Sequence, residues 1–248
     1  MKTKKQLLTS ALIIAFLFSY SSFAQEDENK SYKMAQIIYI DAKVGMEATF
    51  EKAVKEHNAT YHDGVYSASL DLIMSGKDAG WYVWIMGPCT FTDLDNAPGE
   101  GAHADHWNTN VAPNIKKYGR QEYWKLNDKL TYQSSDEEMG YTNLWFIDLK
   151  RGDYYRFNAL MTKIKEAFEK RGKGSMRVYD SQFNGDDGRD IAIAWDLKNL
   201  AEMDSDEESI KTEYEEINGE GTWNNMLDEW EEIALSINSQ LWKTDIAK

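Results

Sequence analysis

The motif His103-x-x-His106 is the spacing in this sequence best suited to metal chemistry. On a helix, residues three apart share one face, so both imidazoles could approach one metal ion. Glu100, Asp95 or Asp105 lies near enough along the chain to supply another ligand. His103 and His106 are therefore candidate metal ligands. The start of a solvated helix explains the same spacing without any metal.

A second candidate, His57, lies on an apolar helical stripe between Val54 and Tyr61. This position predicts at least partial burial, and a buried imidazole must satisfy its ring nitrogens. A hydrogen bond to a carbonyl or a tyrosine would do so, and so would a bound ligand. His57 and Trp107 are candidate ligand-binding residues, although Trp107 is also typical of helix packing onto a sheet. His62, near the predicted helix end, is interpreted as a surface residue.

Composition excludes several classes of protein. Of 248 residues, 42% are hydrophobic, which is enough for a buried core, and Lys+Arg 28 against Asp+Glu 42 gives a net charge of −14. Nucleic-acid binding needs a cationic surface, so a nucleic-acid partner is not expected. Cys89 is the single cysteine, which excludes an internal disulfide. No nucleophile elbow, phosphate loop, dinucleotide fingerprint or zincin helix is present, so no motif fixes a reaction.

The first 24 residues are typical of a secretory signal. Lys2, Lys4 and Lys5 precede an apolar stretch from Leu7 to Phe18, and Ser22-Phe23-Ala24 supplies small residues at positions −3 and −1. Cleavage is predicted after Ala24, with a secreted or periplasmic mature protein. No later stretch has the roughly 20 apolar residues of a membrane-spanning helix, so no membrane span is expected.

Segments in the two halves of the chain resemble each other in sequence. Tyr39-Ile-Asp-Ala-Lys-Val-Gly45 resembles Phe146-Ile-Asp-Leu-Lys-Arg-Gly152, and Gly99-Glu-Gly101 recurs as Gly219-Glu-Gly221. Such self-similarity in the same order is typical of an internal duplication. The predicted repeats span residues 34–128 and 140–245, with a polar linker at 129–139.

Periodicity predicts the same element order in both repeats. Each begins with a strand that is apolar on both faces, followed by an amphipathic helix and a hairpin. A second helix, clearest from Trp223 to Ile237, precedes a last short strand. This is βαββαβ twice, an α+β ferredoxin-like arrangement. Each unit leaves one sheet face uncovered, so we expect the two sheets to pack on each other.

This element order resembles the tandem form of the dimeric α/β barrel superfamily, which includes the antibiotic-biosynthesis-type monooxygenases. The resemblance implies two facing sheets around a cavity. It also implies that an Asn on the first strand and a Trp near the end of the third line that cavity, which are Asn143 and Trp195 here. Haem-degrading relatives carry a His after that Trp, whereas Asp196 to Lys248 contains none. No bound cofactor is therefore expected.

Three functions remain open at this point. The first is an exported protein that binds a small organic molecule in an aromatic-lined cavity between the repeats. The second is a cofactor-independent monooxygenase in which Asn143 and Trp195 position an aromatic substrate. The third is a non-catalytic structural or interaction module. The sequence does not indicate the oligomeric state.

Overall fold

The computed structural model describes residues 32–133, 139–183, 188–204 and 210–247. The predicted signal peptide at residues 1–24 and part of the predicted linker lie outside these ranges. Within them, no helix combines the length and the apolar composition needed to cross a membrane.

The first half of the chain forms four antiparallel strands. They are β1 (Met34–Ala42), β2 (Ala68–Ile73), β3 (Tyr82–Cys89) and β4 (Ile115–Leu126). Their order across the sheet is β4-β1-β3-β2, so the first strand lies between the fourth and the third. Buried residues point to both faces along β1 and β3, as expected for a sheet that is covered on both faces.

The second half repeats this order. Its strands are β6 (Tyr141–Leu149), β7 (Ser175–Ser181), β8 (Ile191–Leu197) and β9 (Ala234–Lys243), arranged as β9-β6-β8-β7. A short additional strand, β5 (Tyr132–Gln133), pairs with β7 beyond this set. The predicted α+β class and antiparallel ferredoxin-like strand order are confirmed.

The two sets of strands meet at two seams. At one seam β2 pairs with β9, with Ile73 opposite Trp242, and at the other β4 pairs with β7, with Lys125 opposite Asp180. Strand pairing therefore continues around the whole set. In the interior, side chains from both halves form one apolar cluster, namely Ile37, Tyr39, Ile73, Val83, Trp124, Phe146, Ala192 and Trp242.

Six α-helices occur in the described ranges. They are α1 (Glu47–Tyr61), α2 (Phe91–Leu94), α3 (Ala102–His106), α4 (Tyr154–Arg171), α5 (Lys211–Asn218) and α6 (Thr222–Ile233). The long helices α1 and α4 bury the predicted stripes, with Phe50 and Phe157 fully buried, against the outer sheet faces. Gly172, with φ at 72°, ends α4 in the left-handed conformation that favours glycine.

One boundary of the predicted elements is wrong. The apolar stripe from Trp223 predicts a helix as far as Ile237, whereas α6 ends at Ile233 and residues 234–243 form β9. Ile237 lies opposite Ile147 on β6, so pairing along the sheet replaces the last helical turn. The last strands are also longer than predicted, with 12 residues in β4 and 10 in β9.

Candidate functional site

A cavity of about 530 Å³ lies inside the barrel and is lined by strands from both halves of the chain. Four aromatic side chains from both halves contribute to its wall, namely Trp124, Phe146, Tyr179 and Trp242. Small aliphatic residues such as Ala192 and Ala194 leave the space between them. This volume is within the range of small-molecule sites in proteins.

An ion pair forms part of the polar wall of the cavity. Asp196 receives hydrogen bonds from Arg177 at 2.8 Å (Nε) and 2.5 Å (Nη2), from Ser175 at 2.7 Å and from Thr142 at 2.8 Å. Both carboxylate oxygens are thus engaged by neighbouring donors. The bidentate geometry fixes the guanidinium plane, so the Arg177 and Asp196 side chains hold each other in place at the cavity wall.

Asp71 is a buried carboxyl group of the cavity wall with a strongly raised pKa. It is 7% exposed, and its Oδ1 accepts a hydrogen bond of 2.8 Å from the backbone N–H of Asp245. Burial raises the pKa of Asp71 to about 7; the Asp245 N–H and Arg177 oppose this rise, whereas the Asp245 and Asp196 carboxylates add to it. A carboxyl group with this pKa can take up or release a proton near neutral pH.

Asn143 and Trp195 lie on the face of the sheet that is turned away from the cavity. They are cross-strand partners on β6 and β8, so they share one face. Thr142, Leu144 and Asp196, which are their chain neighbours, line the cavity. Trp195 instead packs against Phe168 of α4, with ring centroids 5.9 Å apart. The placement in the cavity implied by the resemblance is thus corrected, because strand alternation directs this pair towards the helices.

The histidines form a cluster outside the barrel interior. His57 lies on α1, His62 directly follows that helix, and His103 lies on α3. Their Nε2 atoms form a triangle with sides of 3.3 Å (His57 to His62), 3.2 Å (His57 to His103) and 3.2 Å (His62 to His103). His57 is fully buried, and the other two are half-buried.

His106 and Trp107 pack around this triangle. The Nδ1 atoms of His106 and His57 are 3.2 Å apart, and the Trp107 ring meets His57 edge-on at 5.0 Å. The structure thus brings together four candidate residues from the sequence, namely His57, His103, His106 and Trp107. His106 is not a corner of the triangle and contacts it through His57. His62, which was interpreted as a surface residue, completes it. The only sequence signal for His62 was that all four histidines fall in one half of the chain.

The surroundings of the triangle disfavour the charged form of all three imidazoles. Burial lowers the pKa of His57 to about 3, and the neighbouring His62, His103 and His106 lower it further. Burial also lowers the pKa of His62 and of His103. Neutral imidazole is the form that carries a lone pair for a metal ion or a hydrogen-bond donor.

Comparison with known proteins gives structural similarity without sequence similarity. No protein-family model matches the sequence, and no curated protein matches it at a significant level. A candidate monooxygenase from Fusobacterium nucleatum has a similar structure, with a TM-score of 0.55 and 9% identity over 86% of this chain and 93% of that one.

Two further solved structures are similar. A candidate monooxygenase from Lactobacillus acidophilus has a TM-score of 0.51 and 12% identity, covering 86% of this chain and 94% of that one. An anthrone oxidase-like protein has a TM-score of 0.51 and 11% identity, covering 86% and 91%. These similarities confirm that the chain has the dimeric α/β barrel fold. At such low identity they concern the fold alone.

Proposed function

We propose that this dimeric α/β barrel protein binds a small organic molecule in the cavity inside its barrel. The observation that carries the proposal is the combination, in one cavity of about 530 Å³, of aromatic walls and a titratable carboxyl group. Aromatic faces attract flat apolar rings, and a few polar groups fix the orientation of a ligand.

The polar wall indicates the chemistry of the ligand. Arg177 and Asp196 are already paired with each other, so they shape the cavity and present a fixed dipole to a ligand. Within the described part of the chain Asp71 accepts one hydrogen bond, from the Asp245 backbone N–H, so its carboxyl group is suited to contact the polar group of a ligand. A protonated Asp71 donates a hydrogen bond to a carbonyl or ether oxygen, whereas the carboxylate accepts one from a hydroxyl. We therefore infer an uncharged aromatic ligand that carries an oxygen substituent.

Two features of the chain belong to the same proposal. The leader sequence supports export to the periplasm or the medium. The sequence echo and the matching strand orders β4-β1-β3-β2 and β9-β6-β8-β7 support a tandem duplication, in which two βαββαβ repeats form a pseudo-dimer within one chain. In this view each repeat shields the open sheet face of the other from water.

Oxygenation of the bound molecule is a second candidate function. The similar structures include candidate monooxygenases and an anthrone oxidase-like protein, and this supports the idea at the level of the fold. In this chain Asp71, not Asn143 or Trp195, lines the cavity and could accept a proton from a substrate. A non-catalytic binding module remains the simpler alternative.

The test is a binding experiment with a cavity-filling variant. The neutral probe N-phenyl-1-naphthylamine should bind the wild-type protein, and Ala194→Trp should abolish binding because the new ring occupies the cavity. Leu235→Trp, at a position that is 61% exposed, adds the same ring to the surface and should leave binding intact. Equal binding by both variants would contradict the proposal. Oxygen consumption with bound aromatic compounds separates an oxygenase from a binding module.

A further inference from the structure

The histidine triangle carries an inference that is independent of the cavity. We propose that His57, His62 and His103 bind one Zn²⁺ ion through their Nε2 atoms, with a fourth coordination position left for water or a small ligand. Three nitrogen ligands at 2.0–2.1 Å from one Zn²⁺ in tetrahedral geometry lie about 3.3 Å from each other. The observed separations of 3.2 to 3.3 Å match this spacing on all three sides.

Hydrogen bonding alone does not account for the triangle. The Nε2 atom of a neutral imidazole either donates or accepts, and it cannot do both. A proton shared by one pair therefore leaves at least one other pair with two lone pairs, or two N–H groups, facing each other. A cation at the centre is attracted to all three lone pairs at once, so it removes this repulsion.

Outer contacts act on the ring nitrogens of His62 and His57, whereas the buried Nδ1 atom of His103 has no hydrogen-bond partner among the described residues. The Nδ1 atom of His62 lies 3.0 Å from the carbonyl oxygen of Tyr66, which can only accept, so Nδ1 carries the hydrogen and Nε2 the lone pair. The Nδ1 atom of His57 lies 3.2 Å from Nδ1 of His106, and the tautomer of His106 that accepts there leaves the lone pair of His57 on Nε2. Metal-binding histidines commonly have such an outer hydrogen-bond partner.

The scaffold holds the ligands in place before any ion binds. The Asn58 side chain donates to the carbonyl of Ala68 at 3.1 Å and accepts from the Trp84 indole at 3.0 Å. These bonds fix the end of α1 against β2 and β3. The Trp84 ring also contacts His62 edge-on at 5.1 Å, so a ligand helix and a ligand ring are both supported by the sheet.

The type and number of ligands indicate the class of metal. In the described part of the chain, the group that converges on one point consists of imidazoles alone. Imidazole suits Zn²⁺ and its neighbours in the first transition row, whereas Mg²⁺ and Ca²⁺ prefer oxygen ligands. Three protein ligands with a free position are typical of catalytic zinc sites, where the fourth ligand is water.

Space for a fourth ligand adjoins the triangle. A cavity of about 380 Å³ is lined by all three histidines together with Ile38, Trp84 and Trp107. Water or a small anion on the ion could therefore extend into a pocket with aromatic walls. Zn²⁺ lowers the pKa of a bound water towards about 7, so the site could present a hydroxide to a molecule in this pocket.

The first experiment measures Zn²⁺ affinity with the protein in the form that its own host produces, without a histidine tag. After removal of metal with a chelator, competition against a zinc indicator should show one tight site per chain. His62→Ala and His103→Ala should each weaken binding by about 100-fold or more, since each removes one of three ligands. His106→Ala should weaken it by only about 10- to 100-fold, because it acts through His57.

The matched control is Asp105→Asn, on the same helix and between the two histidines. Asp105 is exposed and outside the triangle, so its replacement should leave the affinity unchanged. A loss of affinity with Asp105→Asn, or an equal loss with His106→Ala and His103→Ala, would overturn the assignment of ligands. Wild-type protein without a tight site would overturn the proposal as a whole.

Spectroscopy of the wild-type protein keeps the proposal testable if a variant does not fold. The Co²⁺ form should show the intense visible absorption of a four-coordinate ion, and X-ray absorption of the Zn²⁺ form should give three imidazole nitrogens at about 2.0 Å. A pale six-coordinate Co²⁺ spectrum, or a zinc shell dominated by oxygen, would contradict the site.

Discussion

Arg189 and Tyr39, from opposite halves of the chain, meet in the barrel interior through a hydrogen bond of 2.6 Å from Nη2 to the phenol oxygen. Arg189 also lies 3.3 Å from a carboxylate oxygen of Glu122, and its guanidinium carbon is 3.5 Å from the centre of the Phe146 ring. A charge buried in this way must be compensated by nearby groups. These contacts therefore link the two halves by more than apolar packing.

Tyr39→Phe should destabilise the fold. The substitution removes an acceptor from a buried cation while keeping the ring, so we expect a loss of about 1–3 kcal/mol in the free energy of unfolding. Urea denaturation measures this loss. Tyr155→Phe, at a position 71% exposed, is the control and should stay within about 0.5 kcal/mol of wild type. Equal stability of both variants would show that the contact contributes nothing.

Asp71 should make stability depend on pH. Burial raises its pKa in the folded protein to about 7 from the ordinary value of 3.8, so between these values the folded state keeps a proton that the unfolded state releases. The free energy of unfolding should therefore fall as pH rises through this window, with a slope of at most about 1.4 kcal/mol per pH unit for one proton. The contribution is fully present below about pH 4 and is lost above about pH 7.

The measurement compares wild type with Asp71→Asn across pH 4 to 8. Arg177, Asp196 and Asp245 are the charged groups that act on Asp71, and they remain in the variant. The difference in unfolding free energy between the two proteins should thus isolate the Asp71 proton. Asp228→Asn, an exposed change, should reproduce the wild-type profile. A wild-type slope retained in Asp71→Asn would assign the dependence to another group.

Trp195→Phe should leave ligand binding in the cavity unchanged. The indole packs against α4 on the other side of the sheet, so it shares no contact with a molecule bound between the sheets. Its buried N–H has no hydrogen-bond partner among the described residues, so phenylalanine removes no such bond. Titration with N-phenyl-1-naphthylamine should give an affinity within about twofold of wild type. A large loss would restore the role that the family resemblance implies.

The limits of sequence reasoning are clear at this pair of residues. Asn143 and Trp195 share a face because the register between β6 and β8 makes them cross-strand partners. Alternation along each strand does not indicate which face is turned inward, because both faces of a doubly covered strand are apolar. Only the packing of the helices against Trp195 determines that the cavity lies on the other side.

The histidine cluster shows a different limit. Helical spacing correctly selected His57 as buried, and it drew attention to His103 and His106. The position of His62 depends on the turn Gly64–Tyr66 after α1, which brings the Tyr66 carbonyl to its Nδ1 atom. Periodicity carries no information about such a turn. The contact between His62 and His103, 41 residues apart, is a product of tertiary packing.

His57→Ile tests the metal site and the fold together. The second half of the chain has Ile164 on the equivalent helical stripe, so isoleucine suits this buried position and the variant should still fold without metal. Zn²⁺ at 100 times its Kd should stabilise the wild-type protein by about 2.7 kcal/mol. The variant should lose this stabilisation, and Mg²⁺ should stabilise neither protein. Thermal unfolding with and without each ion measures the effect, and a Zn²⁺ response that persists in His57→Ile would mean that the ion binds elsewhere.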